Sequence, residues 1–412
     1  MAGRKIDYLL VGGGIAAASC ARSLRQEGAE GSILLVGRER DLPYNRPPCS
    51  KGYLQGRESR QEVLYEPAEF YAENEIEALT RVSAMKLDTS ARTVRLSDRQ
   101  EIEFGQALLA TGANVRRLNV EGAELEGIHY LRALGNADAI REDVAGKRVV
   151  LVGGSYIGCE VAASLTLLGC SCTIVMREPV TLSLGFGETA GRFFQECLEE
   201  HGVTVHGEQD LERFKGSGGR ITRVVTRAGL EIDADAVVMG TGALPDVMLA
   251  RGGGLALGES GGLRVDGHLQ TEVPGLYAAG DLAEYRSVIH GGRPLRVEHW
   301  DVALNQGRVA ALNMLGRDQD YDVVPYFFSD IGEWASLEYV GPASDWDEEV
   351  VRGSLDEGQF SVWYMHEGRL AATLAVGRSD DLEHARRLLS SGKQLDHPAV
   401  RLSDPSTDLG SI

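Results

Sequence analysis

The sequence lacks the cysteine spacings that indicate a metal site or a redox-active disulfide. Its 412 residues include six cysteines, and no two of them form a C-x-x-C or C-x4-C pair. Such pairs hold zinc or form an active-site dithiol, so neither is expected here. We expect buried, reduced thiols at every cysteine except Cys49, which is considered below.

Positive charge is also scarce. The chain carries 42 lysines and arginines against 61 aspartates and glutamates, which gives a net charge of -19. Nucleic acids and anionic membranes bind clustered cations, because the cations displace counterions. Neither nucleic acid nor membrane is therefore expected as a partner.

Long hydrophobic runs are absent as well. The apolar stretch near the N-terminus covers about six residues, whereas a membrane-spanning helix needs roughly 20. No signal peptide is visible either, so a cytoplasmic protein is the default expectation. A chain of this length with 43% hydrophobic residues can bury more than one core, which predicts two or three domains.

Two glycine-rich turns are the most informative feature that is present. They read Val11-Gly12-Gly13-Gly14-Ile15-Ala16-Ala17 and Val152-Gly153-Gly154-Ser155-Tyr156-Ile157-Gly158, 141 residues apart. Each follows an apolar run of strand length and opens a stretch of helix length, as in a β-α-β dinucleotide-binding unit. The glycines let the backbone approach a pyrophosphate at the helix N-terminus. The pair therefore predicts two bound dinucleotides.

The two turns depart from the ideal pattern in different places. Ala17 takes the third glycine position of the first turn, and Ser155 takes the second position of the other. The motif allows alanine at its third position, whereas Ser155 puts a side chain where backbone should face phosphate. The first turn is therefore the stronger prediction.

Apolar strands that end in glycine turns divide the rest of the chain. We predict an α/β protein with two Rossmann-like dinucleotide-binding domains and a C-terminal α+β domain. The predicted boundaries are residues 1–112 with 243–320, residues 113–242, and residues 321–412. Residues 401–412 are expected to form an irregular tail with little to bury.

Four further motifs follow the first turn in a set order. They are Asn45-Arg46-Pro47-Pro48-Cys49-Ser50-Lys51, Tyr277-Ala278-Ala279-Gly280-Asp281, Arg296-Val297-Glu298-His299-Trp300 and Tyr326-Phe327-Phe328-Ser329-Asp330. With the two turns, they resemble the FAD-dependent, ferredoxin-reductase-like pyridine nucleotide oxidoreductases. The resemblance covers nearly the whole chain, and members of that family include putidaredoxin reductase, rubredoxin reductase, the ferredoxin reductase components of dioxygenases and apoptosis-inducing factor.

The resemblance implies two dinucleotide-binding domains of the glutathione-reductase type. The first would hold FAD, the second would hold NAD(P)H, and the C-terminal domain would help to form the face for an electron acceptor. The implied reaction is hydride transfer from nicotinamide to the flavin, followed by one-electron transfer to a [2Fe-2S] ferredoxin or a rubredoxin. The cofactor carries this chemistry, and the protein positions and tunes it.

By resemblance, Lys51, Glu160 and Tyr156 are the candidate catalytic residues. Lys51 would place an ammonium near flavin N5 and stabilise negative charge there, and Glu160 would pair with it. Tyr156 would cover the flavin until nicotinamide displaces it. The alternatives are a surface lysine, a solvated glutamate and an aromatic residue packed under the start of a helix.

The resemblance also implies a wider set of cofactor-binding residues. Arg46 and Arg132 would contact the FAD diphosphate and flavin region, and Asp281 would accept a hydrogen bond from a ribityl hydroxyl. The full set is Gly12, Gly14, Ile15, Ala16, Arg38, Glu39, Arg46, Lys51, Val82, Ala110, Thr111, Gly112, Arg132, Gly153, Ser155, Tyr156, Ile157, Arg177, Gly242, Gly280, Asp281, Glu298, His299 and Trp300.

Two departures from the family pattern concern the adenosine ends of the cofactors. Arg38 stands where the family has an acid for the FAD ribose, so either Glu39 replaces that contact or Arg38 stacks on adenine. Met176 stands where NADH-dependent members have an acid, and Arg177 follows it. An arginine there can bond a 2′-phosphate, with about 1.5–3 kcal/mol per charge-assisted bond. This favours NADPH over NADH, although Glu178 could neutralise Arg177.

A third departure is Cys49, which replaces the leucine usual in its motif and lies two residues before Lys51. It is either a small apolar substitute or a reactive thiol. A reactive thiol would make the protein a single-cysteine NAD(P)H oxidase, peroxidase or disulfide reductase. A second alternative is a protein like apoptosis-inducing factor, in which the cofactor state controls a protein interaction.

Overall fold

Parallel β-sheets form where the sequence places apolar runs before the two glycine turns. The computed structural model describes residues 4–343 and 345–412. The first sheet has the order β3-β2-β1-β6-β5-β4, and β1 runs parallel to both β2 and β6. Its elements are β1 (Arg4–Val11), α1 (Ile15–Gln26), β2 (Ile33–Val36), α2 (Ala68–Glu73), β3 (Ile76–Leu79), β4 (Ala84–Asp88), β5 (Thr93–Leu96) and β6 (Glu101–Leu109), followed by the short β7 (Ala113–Val115).

The second glycine turn lies in a second sheet, with the order β11-β10-β9-β15-β8 and parallel pairing throughout. Its three central strands, β9, β10 and β15, are mostly buried, as parallel strands flanked by helices require. The elements of this part are β8 (Ile128–Tyr130), α3 (Leu134–Val144), β9 (Arg148–Val152), α4 (Tyr156–Leu167), β10 (Ser171–Val175), α5 (Ser183–Glu200), β11 (Thr204–His206), β12 (Leu211–Ser217), β13 (Arg220–Thr226), β14 (Glu231–Asp233), β15 (Ala236–Met239) and β16 (Ala243–Pro245).

After β16, which pairs with β7, the chain returns to the first sheet. Strand β18 runs parallel to the end of β6, so the Ala279-Gly280-Asp281 turn that follows it reaches the edge where the first glycine turn lies. The elements of this return are α6 (Met248–Gly252), β17 (Leu263–Val265), β18 (Leu276–Ala278), β19 (Ala283–Ser287), β20 (Arg293–Leu295) and α7 (Trp300–Met314).

The C-terminal part is an antiparallel sheet in the order β21-β22-β25-β24-β23, flanked by helices. One continuous apolar core joins this sheet to the second parallel sheet, whereas the first sheet packs against α1 and α7. The elements are β21 (Tyr326–Ile331), β22 (Ala335–Val340), β23 (Glu348–Ser354), β24 (Gln359–His366), β25 (Arg369–Val376), α8 (Asp380–Ser391) and α9 (Pro398–Ser403).

The predicted fold class is confirmed by this α/β architecture. The domain boundaries at residues 112, 242 and 320 stay a prediction. Among the described residues, we find no helix with the length and apolar character needed to cross a membrane.

The prediction for residues 401–412 is wrong. Helix α9 extends into this segment, and the side chains of Leu402, Leu409 and Ile412 are buried. The reason is Arg352 on β23, whose side chain is 5% exposed. Its guanidinium donates hydrogen bonds to the carbonyl oxygens of Leu402, Asp404, Pro405 and Thr407. One buried cation thus holds a segment that has few apolar residues of its own.

Candidate functional site

The first glycine turn brings backbone close to backbone at the edge of the first sheet. Gly12 has a φ of 144°, and a Cβ there would overlap the carbonyl oxygen of Ala110 on the neighbouring strand. Gly14 precedes α1 and has no side-chain cap, so the first N-H groups of α1 carry no side-chain partner. An anion can bind at such a helix start.

A cavity of about 970 Å³ lies in front of this turn, close to the upper end of the usual range for ligand pockets. Of the predicted site residues, it is lined by Gly12, Gly14, Ile15, Ala16, Arg38, Glu39, Arg46, Lys51, Val82, Ala110, Thr111, Gly112, Arg132, Ser155, Tyr156, Ile157, Glu160, Gly242, Gly280, Asp281, Glu298, His299 and Trp300. Cys49 lines it as well. Gly153 and Arg177 are the two predicted residues outside this lining.

Lys51 and Glu160 form an ion pair in the wall of the cavity. Nζ of Lys51 lies 2.7 Å from Oε1 of Glu160, and the two side chains are 18% and 4% exposed. The hydroxyls of Ser50 and Ser329 donate to the two carboxylate oxygens of Glu160. The glutamate is therefore neither solvated nor unpaired, and it fixes the ammonium of Lys51 beside the cavity.

Arg46 is held by protein groups on one side of the cavity. Its guanidinium donates to Oε1 of Glu39 at 2.6 Å, to the hydroxyl of Tyr44 at 2.9 Å and to the carbonyl of Arg132 at 2.6 Å. Burial would raise the pKa of Glu39, but the charge of Arg46 and hydrogen bonds from Tyr44 and Arg46 lower it overall. Glu39 thus carries a negative charge that Arg46 neutralises.

Arg38 reaches toward the return segment. Its guanidinium donates to Oδ2 of Asp246 at 3.0 Å and to Oδ1 of Asn114 at 2.7 Å, and its side chain is 51% exposed. An acid therefore lies beside Arg38 in the cavity wall, and it is Asp246. The spacing of the sequence could not reveal it, because Asp246 arrives more than 200 residues after the first turn.

Arg132 and Asp281 meet across the cavity. Nη2 of Arg132 donates to Oδ2 of Asp281 at 2.8 Å, and both side chains are partly exposed to the cavity. The pair brings the start of α3 to the turn after β18. Two residues of opposite charge, assigned separately from the sequence, thus form one polar cluster.

One end of the cavity is aromatic. The rings of Tyr156 and Phe327 lie 4.7 Å apart between centroids, and Phe186 lies 5.8 Å from Tyr156 and 5.2 Å from Tyr339. We call these four residues the aromatic chamber. Only Tyr156 was predicted individually. Phe327 lies in a motif already noted, whereas no local signal marks Phe186 or Tyr339.

His299 and Trp300 line the cavity beside the aromatic chamber. The His299 ring lies 4.6 Å from the Phe327 ring between centroids, tilted by 34°, and its Nδ1 atom is buried without a partner. Burial lowers the pKa of His299 to about 4, although the charge of Asp281 opposes this. The imidazole is therefore neutral near pH 7. The indole N-H of Trp300 donates to Oδ1 of Asn45 at 3.1 Å.

The second glycine turn has the same backbone approach as the first, but a methionine side chain packs against its middle glycine. Gly153 has a φ of 112°, and a Cβ there would overlap the carbonyl oxygen of Gly240. Ser155 stands at the N-cap position of α4, makes no side-chain cap hydrogen bond and is exposed. The buried side chain of Met176 packs under Gly154. Gly153 therefore permits the close backbone contact of the turn without lining the cavity, whereas Ser155 lines the cavity.

Arg177 projects into solvent near this turn. Its side chain is 74% exposed, and its Nη2 atom lies 4.0 Å from Oε1 of Glu178. At that distance Glu178 does not form a close hydrogen-bonded pair with Arg177. The guanidinium keeps most of its donors free for solvent or a ligand.

Cys49 is buried at the wall of the cavity, with 4% of its surface exposed. Burial raises the pKa of its thiol to about 12, despite the nearby charges of Arg46 and Arg132. A thiol with this pKa is protonated at neutral pH and is a poor nucleophile. The six cysteines are all free, and five of them are buried.

The chain's own groups fit FAD. The close-packed glycine turn and uncapped helix start suit a pyrophosphate. The unpartnered Nδ1 of His299 and the partly exposed polar atoms of Arg132 and Asp281 supply hydrogen-bonding groups along the same cavity. Lys51 supplies a cation, which suits a ring that gains negative charge on reduction.

Comparison with known proteins agrees with this fit. Residues 6–307 match the pyridine nucleotide-disulphide oxidoreductase family, and residues 326–412 match the reductase C-terminal domain. The chain is 34% identical to the ferredoxin–NAD(P)(+) reductase of Sphingomonas sp over 98% of its length and 96% of that protein.

Two further comparisons extend this result. The chain is 31% identical to human apoptosis-inducing factor 3, covering 96% of this chain and 65% of that protein. It also superposes on the reductase in a covalent putidaredoxin reductase–putidaredoxin complex, with a TM-score of 0.92, 30% identity and coverage of 98% and 97%. Together with the family match, these similarities show that the chain belongs to the pyridine nucleotide-disulphide oxidoreductases, as an NAD(P)H-dependent flavin oxidoreductase.

Proposed function

We propose that this protein is an FAD-containing reductase that takes hydride from NAD(P)H and passes electrons singly to a ferredoxin or rubredoxin. The observation that carries the proposal is the position of Lys51. It lines the large cavity and also a second cavity of about 290 Å³, which is bounded by Trp300 and Phe328 among others. A fixed positive charge thus lies between a dinucleotide-sized cavity and a smaller cavity that is lined by proline and aromatic side chains together with Asn45 and Glu58.

Each residue near Lys51 has a definable role in this proposal. Bound FAD would supply the chemistry, because it accepts a hydride as two electrons and can release them one at a time. Glu160 holds the Lys51 ammonium at 2.7 Å, and Ser50 and Ser329 hold Glu160. The ammonium is therefore pre-oriented and needs no rearrangement to stabilise negative charge in the cavity.

The remaining cavity residues would bind and orient the two cofactors. The first turn and the start of α1 would hold the FAD pyrophosphate, and Arg132 with Asp281 would bind polar groups farther along. Tyr156 would cover the ring until the nicotinamide displaces it. Arg46 would act mainly through its neighbours, since Glu39, Tyr44 and the Arg132 carbonyl occupy its donors.

The electron acceptor is proposed from similarity to named relatives. The relative from Sphingomonas is named for ferredoxin, and putidaredoxin reductase is seen joined to putidaredoxin. A [2Fe-2S] ferredoxin is therefore the first candidate and a rubredoxin is the second. The test is reduction of cytochrome c by NADPH through an added ferredoxin or rubredoxin. A protein that loses its flavin absorbance with NADPH but passes no electrons to either carrier would contradict the proposed acceptor class.

NADPH is the proposed nucleotide. The support is the exposed guanidinium of Arg177 and the apolar Met176 in place of an acid. We expect Arg177→Leu to lower kcat/KM for NADPH by about tenfold, as loss of a charge-assisted bond does, and to leave NADH unaffected. Arg192→Leu is the control, since Arg192 is a similarly exposed arginine on α5. A wild-type kcat/KM for NADH at or above that for NADPH would overturn this preference.

A further inference from the structure

The four residues of the aromatic chamber come from distant parts of the chain. Tyr156 begins α4, Phe186 lies in the first turn of α5, and Phe327 and Tyr339 lie on strands β21 and β22. Phe186, in contrast to the others, belongs to a segment with an irregular backbone. The chamber therefore depends on how that segment is held.

The segment at residues 182–187 bends twice. Leu182 has a φ of 60°, and Gly187 has a φ of 73° with a ψ of 175°, which interrupts α5. Leu184 between them is 79% exposed. At the start of the segment, Leu182 is buried and its N-H donates to the carbonyl oxygen of Gly154 at 2.8 Å. The other end, at Phe186 and Gly187, interrupts the helix, and contacts from elsewhere must fix its position.

The contacts at the Phe186–Gly187 end come from the C-terminal part of the chain. The hydroxyl of Tyr364 on β24 donates to the carbonyl oxygen of Phe186 at 2.7 Å, and the Tyr364 side chain is fully buried. Glu349 on β23 presses its carboxylate against Gly187, where a Cβ would overlap Oε1. The indole N-H of Trp346 donates to that same carboxylate at 3.0 Å. The C-terminal part of the chain thus holds the end of the segment at Phe186 and Gly187.

We propose that Tyr364 is a positioning residue for the nicotinamide nucleotide, acting through Phe186. By fixing the Phe186 backbone, its hydroxyl keeps one wall of the aromatic chamber in place before the nucleotide arrives. The proposal rests on the proposed function, since it takes the chamber beside Tyr156 as the place where the nicotinamide ring binds. It makes the C-terminal sheet part of the nucleotide site, although Tyr364 itself does not line the cavity.

The physical reason is the cost of ordering. A nicotinamide ring gains contact with aromatic walls only if these walls are in position. Without the Tyr364 hydroxyl, the nucleotide itself would have to order residues 182–187, and this cost would reduce its affinity. The reaction within the bound complex would change little, because the same walls form once the nucleotide is bound.

The test compares Tyr364→Phe with wild-type holoenzyme. We expect faster hydrogen–deuterium exchange in residues 182–191, and a dissociation constant for NADP+ that rises about fivefold, as expected for loss of one buried hydrogen bond. We expect KM for NADPH to rise in parallel while kcat stays the same. Tyr277→Phe is the matched control, because the buried Tyr277 hydroxyl also donates to a backbone carbonyl, that of Asn313.

The outcomes separate this proposal from the proposed function. Unchanged exchange or unchanged NADP+ affinity in Tyr364→Phe would overturn the positioning role alone, provided that the wild type binds NADP+. Wild-type holoenzyme that binds neither NADP+ nor NAD+ would overturn the proposed function. Glu349→Gln perturbs the same segment but leaves the Tyr364 hydroxyl intact. If the position of this segment sets the affinity, this variant must also show faster exchange in residues 182–191 and weaker NADP+ binding.

Discussion

At the level of single residues, Lys51 and Glu160 depend on each other. Glu160 is almost fully buried, so its charge is tolerable only with the Lys51 ammonium and two serine hydroxyls around it. The sequence could predict the pair only through resemblance, because the partners are 109 residues apart. Ser50 and Ser329 could not be predicted, since nothing local indicates that either would meet Glu160.

Replacing Lys51 with Met should separate its electrostatic and structural effects. We expect flavin reduction by NADPH to slow about a hundredfold, since a preorganised charge is lost. The free energy of unfolding should fall by about 3 kcal/mol, because Glu160 stays buried without its cation. Stopped-flow absorbance and denaturant titration measure the two effects.

The double variant Lys51→Met, Glu160→Gln is the informative control for that prediction. It should regain most of the stability but none of the rate, because the unpaired charge is gone while the ammonium is still missing. Lys147→Met removes a paired lysine far from the cavity lining and should leave the rate unchanged. A wild-type rate in Lys51→Met would refute the role of Lys51.

Cys49 should be dispensable for turnover. Its thiol has a pKa raised by burial to about 12 and is therefore protonated at working pH. We expect Cys49→Ser to keep kcat within about twofold of wild type, because no thiolate is required. A loss of turnover with flavin content intact would instead favour the single-cysteine oxidase, peroxidase or disulfide reductase.

His299 should make the apoprotein sensitive to acid. Its pKa of about 4 in the folded state lies below the usual 6.5, so the unfolded chain binds the proton first as pH falls. Stability from the neutral ring is complete above about pH 6.5 and is lost progressively toward pH 4. Denaturant titrations at pH 7 and 5 should show a loss about 2 kcal/mol larger for wild type than for His299→Gln. Equal losses would contradict a buried neutral imidazole.

At the level of elements, the apolar runs predicted the strands well. Each predicted β-α-β unit is present, with β1 and α1 around the first glycine turn and β9 and α4 around the second, because buried parallel strands and glycine-rich turns leave local signals. The C-terminal segment, residues 401–412, could not be predicted in this way, since its position depends on Arg352, whose partners are about 50 residues away. Long-range polar contacts leave no periodic pattern in the sequence.

Arg352→Met should therefore release the last segment of the chain. We expect a loss of about 3 kcal/mol in the free energy of unfolding, since four carbonyl oxygens, one buried and three partly buried, lose their charged donor at once. Residues 398–412 should also become sensitive to limited proteolysis. Arg387→Met removes a single hydrogen bond to the Leu409 carbonyl and should have little effect. Equal behaviour of the two variants would show that Arg352 does not hold the segment.

At the level of the whole molecule, three parts of the chain meet at one cavity. The first glycine turn, the second turn and the C-terminal sheet each supply lining residues, and one apolar core joins the last two. The sequence predicted this arrangement in outline through the order of its motifs. The aromatic chamber could not be derived from spacing, because Phe186 and Tyr339 are brought together only by packing.

The most direct test of the proposed function is cofactor content followed by reduction. The protein should purify with one FAD per chain, and anaerobic mixing with NADPH should remove the flavin absorbance at a rate that saturates with nucleotide concentration. Protein that binds no FAD after reconstitution, or whose FAD absorbance is unchanged by both NADPH and NADH, would contradict the proposal.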